Sequence, residues 1–216
     1  MGKQEKEFLK TEGDEWFKRN NHKISDNSPE ISILCNWLIP FKKQVHNILE
    51  IGSGCGNKLS QICWQLDSKG YGVDPSILAV DFANKNYGAR CKFEVGTADD
   101  LPVKRKAFDL IHFGFCLYLV SRNQLAQCLN QVDLLLKSGG FLSIVDFDPR
   151  KPHANDYIHV DGLKSYKDNY YKMFCDLGNY SLVNKYSFSE KKYHFSLNPY
   201  DRVSLTLLFK ENNSII

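Results

Sequence analysis

The stretch Ile48-Leu49-Glu50-Ile51-Gly52-Ser53-Gly54-Cys55-Gly56-Asn57 constrains this chain most, because an apolar run leads directly into three glycines at alternate positions. Val45 to Ile51 is short and rich in branched side chains, the pattern of a strand covered on both faces in a parallel sheet. A side chain at Gly52, Gly54 or Gly56 would stand between the backbone and a ligand, or would resist the positive φ that a tight strand-to-helix turn often needs. The loop is therefore expected to touch a bound molecule.

Spacing separates the nucleotide-type loops. The dinucleotide fingerprint G-x-G-x-x-G would need its third glycine at Asn57 when counted from Gly52, or at Leu59 when counted from Gly54. Neither frame fits, which disfavours an NAD-dependent oxidoreductase. Glu50 to Gly56 reads E-x-G-x-G-x-G and closely resembles motif I of the class I (Rossmann-like) S-adenosylmethionine-dependent methyltransferases. Gly70-Tyr71-Gly72-Val73-Asp74-Pro75-Ser76 reads as a second strand ending in an acid, with Pro75 set for the first turn of the next helix. Asp74 follows Gly52 by about 20 residues, the offset at which an acid meets ribose hydroxyls in βαβ nucleotide sites. One carboxylate can accept from both hydroxyls. Capping of the helix from Ser76 onward is a second, compatible role for Asp74.

The resemblance continues along the chain. Phe93 to Pro102 resembles the third strand and the loop that clasps adenine. Family members often carry Gly-Asp-Ala there, whereas this chain has Gly96-Thr97-Ala98, so the adenine amino group is expected to meet Thr97, Asp99 or water. Phe108 to Val120 resembles the strand and loop beside the transferred methyl. Leu134 to Asp146 resembles a helix, its Gly139-Gly140 stop and the fifth strand. The resemblance spans about Val45 to Asp148. It implies an α/β fold with a doubly wound, mostly parallel seven-stranded sheet, a reversed last strand and helices on both faces. It implies S-adenosylmethionine as cofactor and S-adenosylhomocysteine as product. The cofactor contacts it implies are Glu50, Gly52, Ser53, Gly54, Gly56, Asp74, Pro75, Thr97, Ala98, Asp99, Phe113 and Gly114.

Outside the motifs, alternating strand and helix signals predict a parallel sheet covered by helices. Ser28-Pro29 opens a helix with Ile31, Leu34, Cys35 and Leu38 on one face, and Pro40 ends it. Ser121 and Gln124 form a capping-box signature ahead of an apolar stripe at Leu125, Cys128, Leu129, Val132 and Leu136. Tyr180 to Phe188 and Arg202 to Phe209 read as strands with no long helix between them, so they should pair antiparallel. Residues 1–27 read as an N-terminal segment in which Trp16, Phe17 and Arg19 either form a lid over the cofactor or pack outside the sheet. Residues 149–178 read as a substrate-side insertion, in which His153, Tyr157, His159, Tyr166, Tyr170 and Tyr171 are candidate substrate contacts.

At 216 residues, 43% hydrophobic and 25% charged, the chain suits one globular domain, 1–216. A net charge of +3 does not call for a nucleic-acid surface, and Lys104-Arg105-Lys106 reads as a solvated loop tip. No run approaches the ~20 apolar residues of a membrane helix. Met1 to Lys10 has no apolar core for a secretory signal. Seven cysteines without a C-x-x-C pair point to reduced thiols, hence a cytoplasmic protein without structural zinc. Asp146-Phe147-Asp148 alone does not make a magnesium site, and no metal is expected. The [DNS]-P-P-[YFW] tetrad of adenine and glutamine-amide methyltransferases is replaced by His112-Phe113-Gly114-Phe115. The acceptor is thus expected to be a small molecule, a sugar or another hydroxylated metabolite. An alcohol acceptor would want a base, for which His153, His159, Tyr118 and Asp146 are candidates, while His112 reads as a hydrogen-bonded core residue. The catalytic residue and the oligomeric state stay open, and the alternative function is a non-catalytic scaffold or sensor that binds the cofactor.

Overall fold

The computed structural model describes residues 1–21, 28–103, 107–189 and 191–212. Its strands are β1 (Asn47–Ile51), β2 (Lys69–Asp74), β3 (Cys91–Val95), β4 (Phe108–Gly114), β5 (Leu136–Phe147), β6 (His153–Asp156), β7 (Lys164–Lys167), β8 (Tyr180–Ser189) and β9 (Arg202–Lys210). Its α-helices are α1 (Lys3–Glu7), α2 (Gly13–Asn20), α3 (Pro29–Leu38), α4 (Asn57–Leu66), α5 (Ile77–Tyr87), α6 (Arg122–Leu135) and α7 (Tyr170–Cys175). The main sheet has seven strands in the order β3-β2-β1-β4-β5-β9-β8. The β1–β2, β1–β4, β2–β3 and β4–β5 pairs are parallel, and β9 runs antiparallel to both neighbours. This is the doubly wound, mostly parallel sheet with a reversed last strand that the sequence predicts.

Strand pleating divides the core into two layers. Ile48 and Leu110 face α3 and α4, while Leu49 and Ile111, one residue on, face α6 and α7. Ile31, Leu34, Cys35 and Leu38 of α3 are fully buried at helical spacing, and burying each such aliphatic side chain contributes about 1.5–3 kcal/mol. Past Leu38 the α-helix tightens into a 3₁₀ turn, Ile39–Gln44, that runs through Pro40. Because β2 and β4 flank β1 on opposite sides, the chain reverses its winding there, and a crevice opens at the carboxyl ends of these strands.

Three local expectations are corrected. Gly139-Gly140 does not stop a helix: α6 ends at Leu135, and Leu136 is already extended strand. The two-residue step from Phe108 to Leu110 faces Leu136 and Phe141, so the intervening residues bulge out of the ladder. Gly139 makes that bulge at φ +77°. The capping box is also not formed. Ser121 is the N-cap of α6, but its backbone N–H and its hydroxyl donate to Glu5 Oε1 and Oε2 at 2.7 and 3.1 Å, so a distant carboxylate does the work assigned to Gln124. Pro75 lies ahead of α5 rather than in its first turn, because Ser76 is the N-cap, its Oγ accepting from the Ala79 amide at 3.0 Å. Lys104, Arg105 and Lys106 lie outside the described residues.

The N-terminal segment runs as one helical rod from α1 through a π-helical turn, Phe8–Glu12, into α2. It is tied down by polar side chains. Asp14 Oδ1 accepts from Ser76 Oγ at 2.7 Å and from the Leu78 amide at 3.1 Å, so the rod caps α5 as well as α6. A carboxylate at each helix N-terminus also meets the positive end of the helix dipole. Gln4 bridges to β7, donating to the Lys164 carbonyl at 2.9 Å and accepting from its amide at 3.1 Å. Tyr157 packs on Phe8 and its hydroxyl donates to Glu12, which also pairs with Arg19.

Candidate functional site

The glycine loop links β1 to α4, and Gly52, Gly54 and Gly56 all have positive φ, at +74°, +48° and +82°. The three glycines nevertheless do different jobs. A Cβ on Gly52 would lie 2.6 Å from Cβ of Cys116, and one on Gly56 would lie 2.6 Å from the Phe93 ring, so both positions are glycine because protein already fills the space. A Cβ on Gly54 would meet nothing within 4 Å. That position opens onto the crevice. The Gly54 amide donates to Asp74 Oδ2 at 2.8 Å, and the Ser76 amide donates to Asp74 Oδ1 at 2.9 Å. Asp74 therefore clamps the loop to the start of α5, and each oxygen keeps a lone pair for a ligand. Burial pushes its pKa up to about 6 against the pull of these two amides.

Two cavities meet at this loop. The narrower is walled by Val73, Asp74, Pro75, Thr97, Ala98 and, from the N-terminal rod, Phe8. The wider, about 660 Å³, includes Glu50, Ser53 and Lys58 at one end and Tyr118, Phe147 and Tyr193 among its aromatic residues. Trp16, Gly52, Gly54, Gly114 and Phe115 border both. Among the described residues lining the cavities, Gly56, Asp99 and Phe113 are not found. Phe113 is fully buried under α7, and Asp99 is buried behind the loop, accepting from the Thr97 hydroxyl at 2.6 Å.

Glu50 is the most unusual group here. It is 1% exposed and neither carboxylate oxygen has a hydrogen-bond partner, which pushes its pKa up to about 8 by burial. Its neighbour His112 donates no charge: burial drives that imidazole down to about 3, its Nδ1 meets Ser143 Oγ at 3.1 Å, and Nε2 lies 3.9 Å from Glu50. The core reading of His112 holds. Asp146, also pushed up to about 8 by burial, lies behind Tyr118 and Phe147 of the wider cavity, accepting from their amides at 3.2 Å and 2.8 Å. Asp148 is engaged by Lys185 Nζ and Ser187 Oγ, each at 2.6 Å. Among the described residues no cluster of His, Cys, Asp or Glu could hold a metal ion.

The substrate-side expectation for residues 149–178 fares differently. β6 and β7 pair as a hairpin, and of His153, Tyr157, His159, Tyr166, Tyr170 and Tyr171 none is among the described residues lining either cavity. The hairpin grips the N-terminal rod, and Tyr170 is buried in the α6–α7 layer. Conversely, Glu5, Phe8 and Gly13 join the crevice although no local motif marks them. Gly13 carried a usable signal, since a lone glycine in a helical pattern often marks close backbone approach, here to the Pro75–Ser76 turn. Of the aromatic pair in α2, Trp16 borders both cavities, while Phe17 borders the wider one alone and its ring packs 6.0 Å from Phe82 on α5.

Residues 48–140 match a family model described as a methyltransferase domain. Over that span the chain is similar to a methyltransferase domain. The matched span runs from β1 into the β5 bulge and contains the whole glycine loop and Asp74. No curated protein sequence matches this chain. It is similar in fold to 1,6-didemethyltoxoflavin-N1-methyltransferase of Burkholderia thailandensis, solved with 1,6-didemethyltoxoflavin and S-adenosylhomocysteine, at 13% identity and TM-score 0.67 over 86% of this chain and 80% of that one. A TehB-like methyltransferase of Corynebacterium glutamicum covers 94% of this chain and 98% of its own, at 15% identity and TM-score 0.63. The [4+2]-cyclase SpnF is also similar, at 15% identity and TM-score 0.61 over 82% and 80% of the two chains. Identities this low carry the fold alone. Among the described residues no helix is long and apolar enough to cross a membrane.

Proposed function

We propose that this chain is an S-adenosylmethionine-dependent methyltransferase acting on a hydroxyl of a small metabolite, with Glu50, Gly52, Ser53, Gly54, Asp74, Pro75, Thr97, Ala98 and Gly114 as its cofactor contacts. The observation that carries the binding reading is the open cradle at Gly54, held by Asp74 and bordered by a buried carboxylate, Glu50, whose oxygens lack partners. Asp74 takes the ribose hydroxyls, and Glu50 takes the ammonium of the methionine tail. When bound, the cofactor supplies a methyl on a sulfonium: an acceptor lone pair bonds to that carbon while the carbon–sulfur pair leaves with sulfur, and the hydroxyl proton passes to a base or water. The chain's own contribution is alignment, which can lower a barrier by about 7–11 kcal/mol in favourable cases.

Two further parts belong to this reading. Residues 1–27 act as a lid on a single domain spanning 1–216, supported by Trp16 at the junction of both cavities. Residues 149–178 serve as the anchor of that lid, supported by the Gln4 and Tyr157 contacts. Small-molecule acceptance is supported by the cavity size and by the bound 1,6-didemethyltoxoflavin of the Burkholderia relative. A reducing, cytoplasmic setting suits the seven free cysteines. Calorimetric titration with S-adenosylmethionine and S-adenosylhomocysteine tests the reading: saturable binding of both is expected, and folded protein that binds neither would refute it.

A further inference from the structure

We propose that the acceptor is a planar aromatic molecule bearing the reactive hydroxyl, rather than a sugar, and that it stacks in the aromatic end of the wider cavity. This rests on the cofactor reading above and goes on to name the acceptor. The far wall of the cavity is made where β5, β9 and β8 run side by side. Phe147, Val203 and Phe188 stand in one row across these strands, and all three line the cavity. Phe115, Tyr118 and Phe147 form a mutual cluster with ring centroids 5.1–5.4 Å apart, the Tyr118 and Phe147 rings being nearly perpendicular at 87°. Along the same wall is a run of near-parallel rings, Tyr186 on Phe188 at 5.4 Å and 21°, then Phe188 on Tyr193 at 5.4 Å and 15°, of which Phe188 and Tyr193 line the cavity. A flat ring entering here would meet faces and edges already set at the offsets that aromatic pairs prefer.

Backbone strain is concentrated at the same place. Among the described residues, three other than glycine have positive φ: Asp67, Phe115 at +69° and Tyr193 at +52°. Bulky aromatic side chains rarely adopt this conformation, and it persists only where the surroundings enforce it. Two of the three are aromatic residues that line the cavity. Tyr193 is held by its amide, which donates to the Ser189 carbonyl at 2.8 Å, and by the Tyr186 hydroxyl, which donates to its carbonyl. Phe115 borders both cavities and so lies between the cofactor loop and the rings.

The charge pattern agrees. At the aromatic end Lys167 is spent on the Phe147 ring, with Nζ 4.1 Å from its centroid, and Lys185 is paired with Asp148. A polyol would press hydroxyls against carbon at this wall, where unpaired polar groups are penalised.

The test uses the full chain saturated with S-adenosylhomocysteine and three probes: 2-naphthol, its saturated analogue decahydro-2-naphthol, and methyl glucoside. The expected result is saturable 2-naphthol binding at least about tenfold tighter than either other probe, the scale of an aromatic pair. Tyr193→Ala should weaken 2-naphthol by about tenfold and leave S-adenosylhomocysteine affinity unchanged, and Tyr193→Phe should restore 2-naphthol. Equal binding of the saturated analogue, or 2-naphthol affinity indifferent to Tyr193→Ala, overturns the aromatic assignment while cofactor binding stands. Failure of S-adenosylhomocysteine to bind overturns the cofactor reading and this one with it.

Discussion

At the scale of residues, the glycine loop predicts contrasting failures. Gly54→Val puts a branched side chain into open space but onto a left-handed backbone at φ +48°, so it should lower stability only by that strain, about 1–2 kcal/mol, and abolish S-adenosylhomocysteine binding by calorimetry. Gly56→Ala adds to the same kind of strain a methyl driven into Phe93 and should lower stability by about 1–3 kcal/mol more, seen as a larger fall in melting temperature. Asp74→Ala should weaken cofactor binding by about 1–3 kcal/mol, the scale for losing hydrogen bonds to a charged group. Unchanged affinity would refute the ribose assignment. These positions were legible because the motif is local: three glycines and an acid at fixed offsets describe one turn and its partner strand. Phe115 was not legible, since nothing in the sequence His112-Phe113-Gly114-Phe115 says which phenylalanine enters the core and which takes a left-handed backbone.

At the scale of elements, the N-terminal rod is the part whose docking can be dissected. Glu5→Ala removes the carboxylate that receives both Ser121 donors, and loss of a cap of this kind typically costs about 1 kcal/mol. The expected outcome is a modest fall in melting temperature with a further loss of cofactor affinity, because the rod walls the crevice. Trp16→Ala should weaken cofactor binding, and a variant that binds and turns over normally would remove the lid. The strands and the α3 stripe could be read ahead because strand and helix periodicities are properties of short windows. The capping of α6 could not, because Glu5 and Ser121 are brought together only by the tertiary fold. Gly139-Gly140 misled for a related reason: glycine marks a helix end and a strand bulge equally well, and only the pairing of β4 with β5 decides.

At the scale of the molecule, the ligand-free protein holds a buried acid in reserve. The folded pKa of Glu50 is raised from 4.5 to about 8, so the folded state binds more protons than the unfolded chain between these values, and stability is lost as pH rises through that window. Glu50→Gln removes the effect. Its melting temperature should match the parent's near about pH 5 and exceed it by several degrees near about pH 8.5. Calorimetry in buffers of different ionisation enthalpy should also find a proton released when the cofactor binds at neutral pH, as its ammonium replaces the proton on Glu50. A gap that does not widen with pH would remove Glu50 as the titrating group. The fold itself was legible as a whole, since a run of strands that ends without a helix must finish antiparallel. That reversal has a further effect. Because β9 turns back, the β8–β9 connection, with Tyr193, falls at the same end of the sheet as the glycine loop, yet it is joined to the sheet only through a hairpin. Lineages of this chain can therefore lengthen, shorten or rewrite that connection to admit new acceptors, while the cofactor half of the molecule is inherited intact.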